Sequence, residues 1–339
     1  MRSNFRNDLS GCGVIENAVD EQSDSVAARI RFGGYEPVAQ QESAAPVLWL
    51  KSDDAGFVEK PAQQSFLLSE TAVHRVYLDG QITGSQWSDE DADYCLLAGV
   101  TPKDASASRS AQTTSCFEQM ERGLIAAGMD ISHLVRTWFY LDHLLDWYDE
   151  FNVARTEFFE RKGIFDRLIP ASTGIGTGNA AGTALAAGAL AVRKKHAGVK
   201  IEEVRSPLQC PATAYRSSFS RAVEIGLTGR RFLTISGTAS IAPEGHTVHV
   251  GDSEKQIRLT LDVVEAILIS RQMGWQDTVR AIGYFRQIED LELFQAICRE
   301  RGIPSLPMLP VQATVCRDDL LFEIELDAAT NSSMPGAGA

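Results

Sequence analysis

The tightest restriction on how this chain can fold is that much of it is written twice. From Val73 the sequence reads VHRVYLDGQITG, then an amphipathic segment FEQMERGLIAAG, then HLVRTWFYL, DEFNVARTEFFERKG and IPASTGIG, and it closes on ALAAGALAV. From Arg221 it reads RAVEIGLTGRRFLTISGTASI, LDVVEAILISRQMG, DTVRAIGYF, ELFQAICRERG and LPVQATVC, and closes on LLFEIELDA. Both copies give strand, Gly turn, helix, strand, helix, strand, strand. Phe117, Met120 and Leu124 form one helical stripe, and an offset of 144 residues carries them onto Leu261, Val264 and Leu268. The same offset carries Val135 to Val279 and Trp138 to Ile282. Chance likeness between amphipathic helices would not hold one offset through the next strand.

The strands alternate or run short and apolar, and each helix carries one apolar stripe. This predicts an α+β protein of two tandem units, each a mixed β-sheet with two helices on one face. The bare sheet faces are expected to cover each other, which makes their junction the natural place for a pocket. The expected boundaries are an N-terminal extension over 1–46, a first unit over 47–192, a linker over 193–217, a second unit over 218–329 and a disordered tail over 330–339. VLWLK at 47–51 and SFLLSE at 65–70 read as strands pairing with the first unit, and Gly84 to Thr114 reads as a long polar insertion.

Charge narrows the partners. Lys plus Arg number 32 against 45 Asp plus Glu, a net of -13, which disfavours nucleic acid, since binding it relies on cations neutralising phosphates. The longest apolar run, Ala180 to Val192, is too short to cross a membrane. MRSNFRNDLSGCG lacks the apolar core of a secretion signal, so a cytoplasmic location is expected. The six cysteines are scattered without a CxxC pair, and HTVH at 246–249 has no carboxylate cluster beside it, so no metal site is expected.

The last strand holds the sharpest chemical signal. Along LLFEIELD, Phe322, Ile324 and Leu326 share one face, while Leu321, Glu323, Glu325 and Asp327 share the other. The apolar set should meet the helices, which directs the acids at the neighbouring unit. Acids on a strand usually meet water or an arginine, and burying an unpaired one is costly. End-to-end alignment of the two closing strands sets Ala187 against Glu323 and Ala189 against Glu325. A packing requirement would appear in both copies, so acids in one copy alone point to a single asymmetric site. Reading RDDL as a hairpin loop would pair Cys316 with Leu321, Thr314 with Glu323 and Gln312 with Glu325.

With these residues in view, the sequence resembles the YjgF/RidA-like fold and, over nearly its whole length, the chorismatase family, a two-unit branch of it. The marks are YDEFNVARTEFF at 148–159, IPASTGIG at 169–176, SP followed by PATAY and FSRA between 206 and 222, LTISGTASI at 233–241 and VCRDDLLFEIELDA at 315–328. The resemblance implies cofactor-free release of pyruvate from chorismate, as a hydrolase or lyase of secondary metabolism. The other product would be 3-hydroxybenzoate or a dihydroxy-cyclohexadiene carboxylate. Apart from the resemblance, the chain is expected to be a monomer or small homo-oligomer, a choice the sequence leaves open. The resemblance places the general acid at Glu323 and associates a cysteine at Cys316 with 3-hydroxybenzoate formation, Ala239 being another position where the two types differ.

The chemistry agrees with an acid there. Protonating the methylene of the enolpyruvyl ether gives an oxocarbenium ion, and a glutamate still protonated near neutral pH can do this if burial or a like charge raises its pKa. A dianionic substrate needs cations, for which Arg221, Arg155 and Arg216, with Tyr215, are candidates. The small segment SGTAS leaves room for a ring at Gly237 and Ala239, with the hydroxyls of Thr238 and Thr314 as polar contacts. Two rival functions are an enamine or imine hydrolase of the RidA type and a non-catalytic small-molecule-binding protein. Single-unit RidA-like members carry an arginine just after the proline of IPAST, where this chain has Ser172, which argues against the first; the presence of Glu323 gives the second no support.

Overall fold

In the computed structural model, residues 13–14, 26–33, 45–51, 62–68, 72–215 and 217–331 are described. Most of the expected N-terminal extension, the side chain of Tyr215, all of Arg216 and residues 332–339 of the expected tail lie outside them. The first strands are β1 (Gly13–Val14), β2 (Val26–Phe32), β3 (Val47–Leu50) and β4 (Ala62–Leu67). They form a sheet of their own, in the order β1-β4-β2-β3. The stretches at 47–51 and 65–70 therefore both pair with β2. The first of them also meets the first unit as expected, through an antiparallel bridge of Leu50 with Asn179 and backbone hydrogen bonds from Lys51 to Gly178 and from Ala180 to Trp49. Among the described residues, the second does not pair with that unit's strands.

The first unit follows as β5 (His74–Leu78), β6 (Gln81–Ser88), β7 (Ala92–Val100), α1 (Arg109–Ala126), β8 (Leu134–Leu141), α2 (Tyr148–Arg161), β9 (Ala171–Gly176) and β10 (Leu185–Lys194). Its sheet runs β5-β6-β7-β10-β8-β9. The second unit comprises β11 (Lys200–Val204), β12 (Ala222–Leu227), β13 (Arg230–Ala239), α3 (Ser253–Ser270), β14 (Thr278–Phe285), α4 (Asp290–Glu300), β15 (Met308–Gln312) and β16 (Phe322–Thr330), in the order β11-β12-β13-β16-β14-β15. The offset of 144 carries α1 onto α3 and β8 onto β14 residue for residue. Helices α1 and α2 cover one face of the first sheet through Phe117, Met120, Phe151 and Phe158, and α3 and α4 cover the second through Leu261, Val264, Phe294 and Ile297. Ser108 and Asp252 cap α1 and α3 by accepting from the amides of Ala111 and Lys255.

Two further readings need correction. The supposed insertion from Gly84 to Thr114 holds most of β6, all of β7 and the start of α1; its acidic run is a tight turn in which Asp89 Oδ1 accepts from the amides of Asp91 and Ala92. The hairpin equivalent to β12–β13 is thus β6–β7, not β5–β6. The supposed linker contains β11, which pairs with β12 along Lys200–Val204.

The N-terminal sheet repeats the last four strands in the spatial order of each unit's sheet. The orders β1-β4-β2-β3, β7-β10-β8-β9 and β13-β16-β14-β15 correspond, each with one parallel pair, and each has a register shift at the same level, by Val26/Ala28, Leu190/Ala191 and Thr278/Arg280. The register sets Phe32, Tyr140 and Tyr284 at one level. The rings of Phe32 and Tyr140 meet edge to face at 5.9 Å, and the hydroxyls of Tyr140 and Tyr284 are 3.2 Å apart. One apolar core joins all three sheets through Ile30, Phe32, Leu48, Trp138, Ile175, Ile282 and Val311. The bare faces of the two units are closed by a third sheet as well as by each other. Among the described residues, no helix is long and apolar enough to cross a membrane.

Candidate active site

Alternation along β16 delivers the acids where the period of two requires. Phe322, Ile324 and Leu326 are buried under the second unit's helices, and Glu325 projects to the opposite side, into the first unit. The two carboxylates at the junction then meet different fates. Glu325 is fully buried and fully paired: Oε2 accepts from Arg136 Nη2 at 2.7 Å, and Oε1 accepts from Trp138 Nε1 at 2.9 Å and from Arg280 Nη1 at 2.7 Å. Arg280 also donates to Asp327 Oδ2 at 2.7 Å and to Gln64 Oε1 at 2.9 Å, so this ion cluster ties the three sheets together.

Glu323 is only 4% exposed, yet among the described residues none donates a hydrogen bond to its carboxyl group. Burial and the negative charge of Glu325 push its pKa up to about 8, against the smaller opposing influence of Arg136 and Arg221. Near neutral pH it holds its proton. The register sets it between Ala239 on β13 and Tyr284 on β14. A Cβ built on Gly237 would stand 1.9 Å from Glu323 Oε1 and 3.2 Å from Thr173 Cγ2, so the carboxyl lies over a glycine that nothing larger could replace without moving it. Thr173, on β9, brings the first unit to the same spot, and its Oγ1 accepts from the Gly237 amide at 3.0 Å.

Cys316 flanks the acid. It packs with Ala239, Ile241, Val315 and Leu320, and burial together with the charge of Glu323 pushes its thiol up to about 12, so it stays protonated. Arg221 is 4% exposed, donates from Nε and Nη2 to the carbonyl of Cys210 at 3.0 and 2.9 Å, and acts on the charge of both Glu323 and Cys316. Arg155 is buried on α2 and donates to Asn152 Oδ1 at 2.6 Å. Arg221 and Arg155 lie 5.6 and 5.8 Å from the ring centroid of Phe219, so both cations gather at one aromatic side chain. A neutral carboxylic acid with cations nearby suits proton transfer to an anionic substrate.

The structure brings together Glu323, Gly237, Ala239, Cys316 and Arg221, and places Arg155 by way of Phe219. It does not place Thr238 with them: its register partner is Ile324, which faces the helices, and its hydroxyl donates to the carbonyl of Ser236 at 2.9 Å. The hairpin of Thr314 with Glu323 is also absent. β15 runs parallel to β14 at the sheet edge, with β16 on the far side of β14, and Thr314 instead exchanges backbone hydrogen bonds with Gly176 of the first unit. The sequence alignment of the closing strands was one residue out. Pairing with Tyr140 and Trp138 makes Ala186 and Gly188 the counterparts of Glu323 and Glu325, while Ala187 and Ala189 face the helices. The asymmetry survives the shift because neither counterpart is acidic. Tyr215 has its backbone in a single helical turn, Ala212–Tyr215. Sequence reasoning missed Thr173, Phe219 and the pair Arg136 and Arg280. That pair left a signal, an arginine within an apolar strand at the same position of both copies.

Comparison with known proteins follows the same line. The family model for chorismatases of FkbO/Hyg5-like type, N-terminal, matches residues 72–191. A 3-hydroxybenzoate synthase of Streptomyces hygroscopicus is 30% identical over 269 residues, covering 69% of this chain and 74% of that protein. A chorismatase of the same organism is 29% identical over 270 residues, covering 73% and 74%. A crystal structure of a chorismatase superposes with a TM-score of 0.70 at 19% identity, covering 94% of this chain and 97% of the other, which shows a shared fold. With two such units, an acid buried at their junction and these relatives, the chain belongs to the chorismatase family.

Proposed function

We propose that this protein is a cofactor-free chorismatase in which Glu323 is the general acid and 3-hydroxybenzoate and pyruvate are the products. The observation that carries the reading is the carboxyl group of Glu323, buried at the junction, unbonded among the described residues and raised to about 8. Glu323 gives its proton to the methylene carbon of the enolpyruvyl group. The ether oxygen then shares its lone pair with the adjacent carbon as an oxocarbenium ion. The carboxylate left behind is stabilised by Arg136 and Arg221, whose charges favour its ionised form. Arg221 and Arg155 are the cations proposed to hold the substrate's carboxylates, and Gly237 and Ala239 leave space for its ring.

Hydrolysis of the ion would consume one water and give the dihydroxy-cyclohexadiene carboxylate. Formation of 3-hydroxybenzoate and pyruvate consumes none in net. The apolar wall of Ala239, Ile241, Val315 and Leu320 with the protonated thiol of Cys316 offers water no strong partner, which supports the second route. The test is to mix purified protein with chorismate, follow pyruvate and weigh the aromatic product. Release of pyruvate with 3-hydroxybenzoate is expected. No pyruvate would overturn the activity, a dihydroxy product would overturn the route, and undiminished release by Glu323→Gln would overturn the acid.

A further inference from the structure

Thr173 carries a constraint that the acid itself does not explain. It is 2% exposed, and its Oγ1 accepts from Arg136 Nη2 at 2.5 Å and from the Gly237 amide at 3.0 Å. A hydroxyl has two lone pairs and one proton, and neither a guanidinium nor an amide N–H can accept. Both lone pairs are committed, so the proton can only be given to a third group, and among the described residues none takes it. The hydroxyl is a donor of fixed sense, set over the backbone unit on which Glu323 Oε1 rests. Arg136 holds it from behind, itself fixed by Glu325 Oε2 at 2.7 Å and the carbonyl of Ile235 at 3.1 Å.

The threefold likeness of the sheets supplies an independent comparison. By register, the places equivalent to Thr173 are Leu309 on β15 and Leu48 on β3, and those equivalent to Glu323 are Ala62 on β4 and Ala186 on β10. An arginine equivalent to Arg136 recurs as Arg280 in the second unit, with Ala28 at that place in the N-terminal sheet, so the arginine by itself does not mark the site. The hydroxyl and the carboxyl do not recur. They occur together, at one junction of three.

We propose that Thr173 is a substrate-binding residue whose hydroxyl donates to the enolpyruvyl carboxylate of chorismate, with Arg136 as its positioning residue. The proposal rests on the reading of Glu323 as the acid. The methylene carbon that receives the proton and the carboxylate are bonded to the same vinyl carbon, so a donor beside Glu323 meets that carboxylate. The ether oxygen is the wrong recipient, because its lone pair must feed the oxocarbenium ion and a donor there would oppose the reaction.

The test is a cycle of two changes. Kinetics of wild type and Thr173→Val are measured with chorismate and with its enolpyruvyl methyl ester. A hydrogen bond to a charged group predicts a KM about tenfold higher for Thr173→Val with chorismate, recovered by Thr173→Ser. The ester should lose about tenfold more affinity in wild type than in the variant, a coupling that general loosening of the junction would not produce. An unchanged KM, or an ester penalty equally large in both proteins, overturns the proposal. If Thr173→Val does not fold, Thr173→Cys, similar in size but a poor donor, is read in the same cycle. Chorismate binding in Glu323→Gln, with and without the Thr173 change, separates the two readings. Full turnover by Glu323→Gln would sink the acid, whereas an inactive Glu323→Gln with equal affinities in both backgrounds would sink only the role of Thr173.

Discussion

Replacing Glu323 by glutamine should make the protein more stable, and increasingly so as pH rises. The folded-state pKa of about 8 stands above the ordinary value of 4.5, so the folded form binds a proton that the unfolded chain releases between these limits. The stability associated with the neutral carboxyl is fully present below about 4.5 and is lost as pH rises through about 8. Relative to a side chain that cannot ionise, Glu323 costs the folded state about 1 kcal/mol at pH 5, about 3 kcal/mol at pH 7 and about 5 kcal/mol at pH 9. Glutamine has nearly the same shape, and whatever its amide gains or loses in the cleft is independent of pH. The trend therefore reports the titration alone. Urea unfolding of wild type and Glu323→Gln at the three pH values should show a difference widening by about 4 kcal/mol from pH 5 to pH 9. A difference that stays flat within about 0.5 kcal/mol would mean that the carboxyl is ordinary, and the general-acid reading would fall with it.

Turnover should show the same titration from the other side: kcat/KM is expected to fall tenfold per unit above about pH 8, with the limb in kcat displaced upward because a bound dianion further disfavours the carboxylate. Gly237→Ala places a methyl on the site of Glu323 Oε1; the flexible carboxyl can swing away, so circular dichroism should show an intact fold while kcat drops about 100-fold. Arg136→Met strands the buried Glu325 with one cation fewer and should cost about 3–5 kcal/mol by chemical denaturation. After α1 the chain turns through Gly128 with φ of 71°, but at the equivalent place after α3 it turns through Gln272 with φ of 57°, so Gln272→Gly should raise stability by about 0.5–1 kcal/mol in the same assay.

The parts of this structure that were legible in the sequence are those written in a period. The helical stripe of Phe117, Met120 and Leu124 and its image at Leu261, Val264 and Leu268 fixed both the fold of the unit and its duplication, and the alternation of β16 fixed which side the acids take. Partner choice within a sheet is not periodic. β16 inserts between β13 and β14 because the parallel pair β14–β15 occupies the edge, and nothing local in QATVCRDDLLFE separates that from a hairpin. The N-terminal sheet was legible only as strands at 47–51 and 65–70, not as a sheet of its own, for a related reason: the burial of its strands comes from the other two sheets rather than from an amphipathic pattern of their own. The binding groups were harder still, since Thr173 and Phe219 matter through contacts across the junction that no spacing in one copy encodes.

How the Glu323 carboxyl keeps its proton beside arginines follows from its burial and from what the terminal nitrogens of those arginines already hold. An isolated carboxyl buried near a free guanidinium would ionise and pair with it. Both terminal nitrogens of Arg136 are taken, Nη1 by the carbonyl of Ile235 and Nη2 by Glu325 and Thr173. Arg221 is engaged by the carbonyl of Cys210 through two nitrogens. Glu325 thus does two things at once: it holds Nη2 of Arg136, whose Nε is left buried without a partner among the described residues, and its own charge opposes a second carboxylate beside it. The two other junctions show the architecture without this device, with Gln64 and Gly188 at the place of Glu325 and alanines at the place of Glu323. A carboxylate introduced at Ala186 would therefore lack the like-charged neighbour that adds to burial in keeping Glu323 protonated, and a second acid of the same strength would not follow from copying one residue.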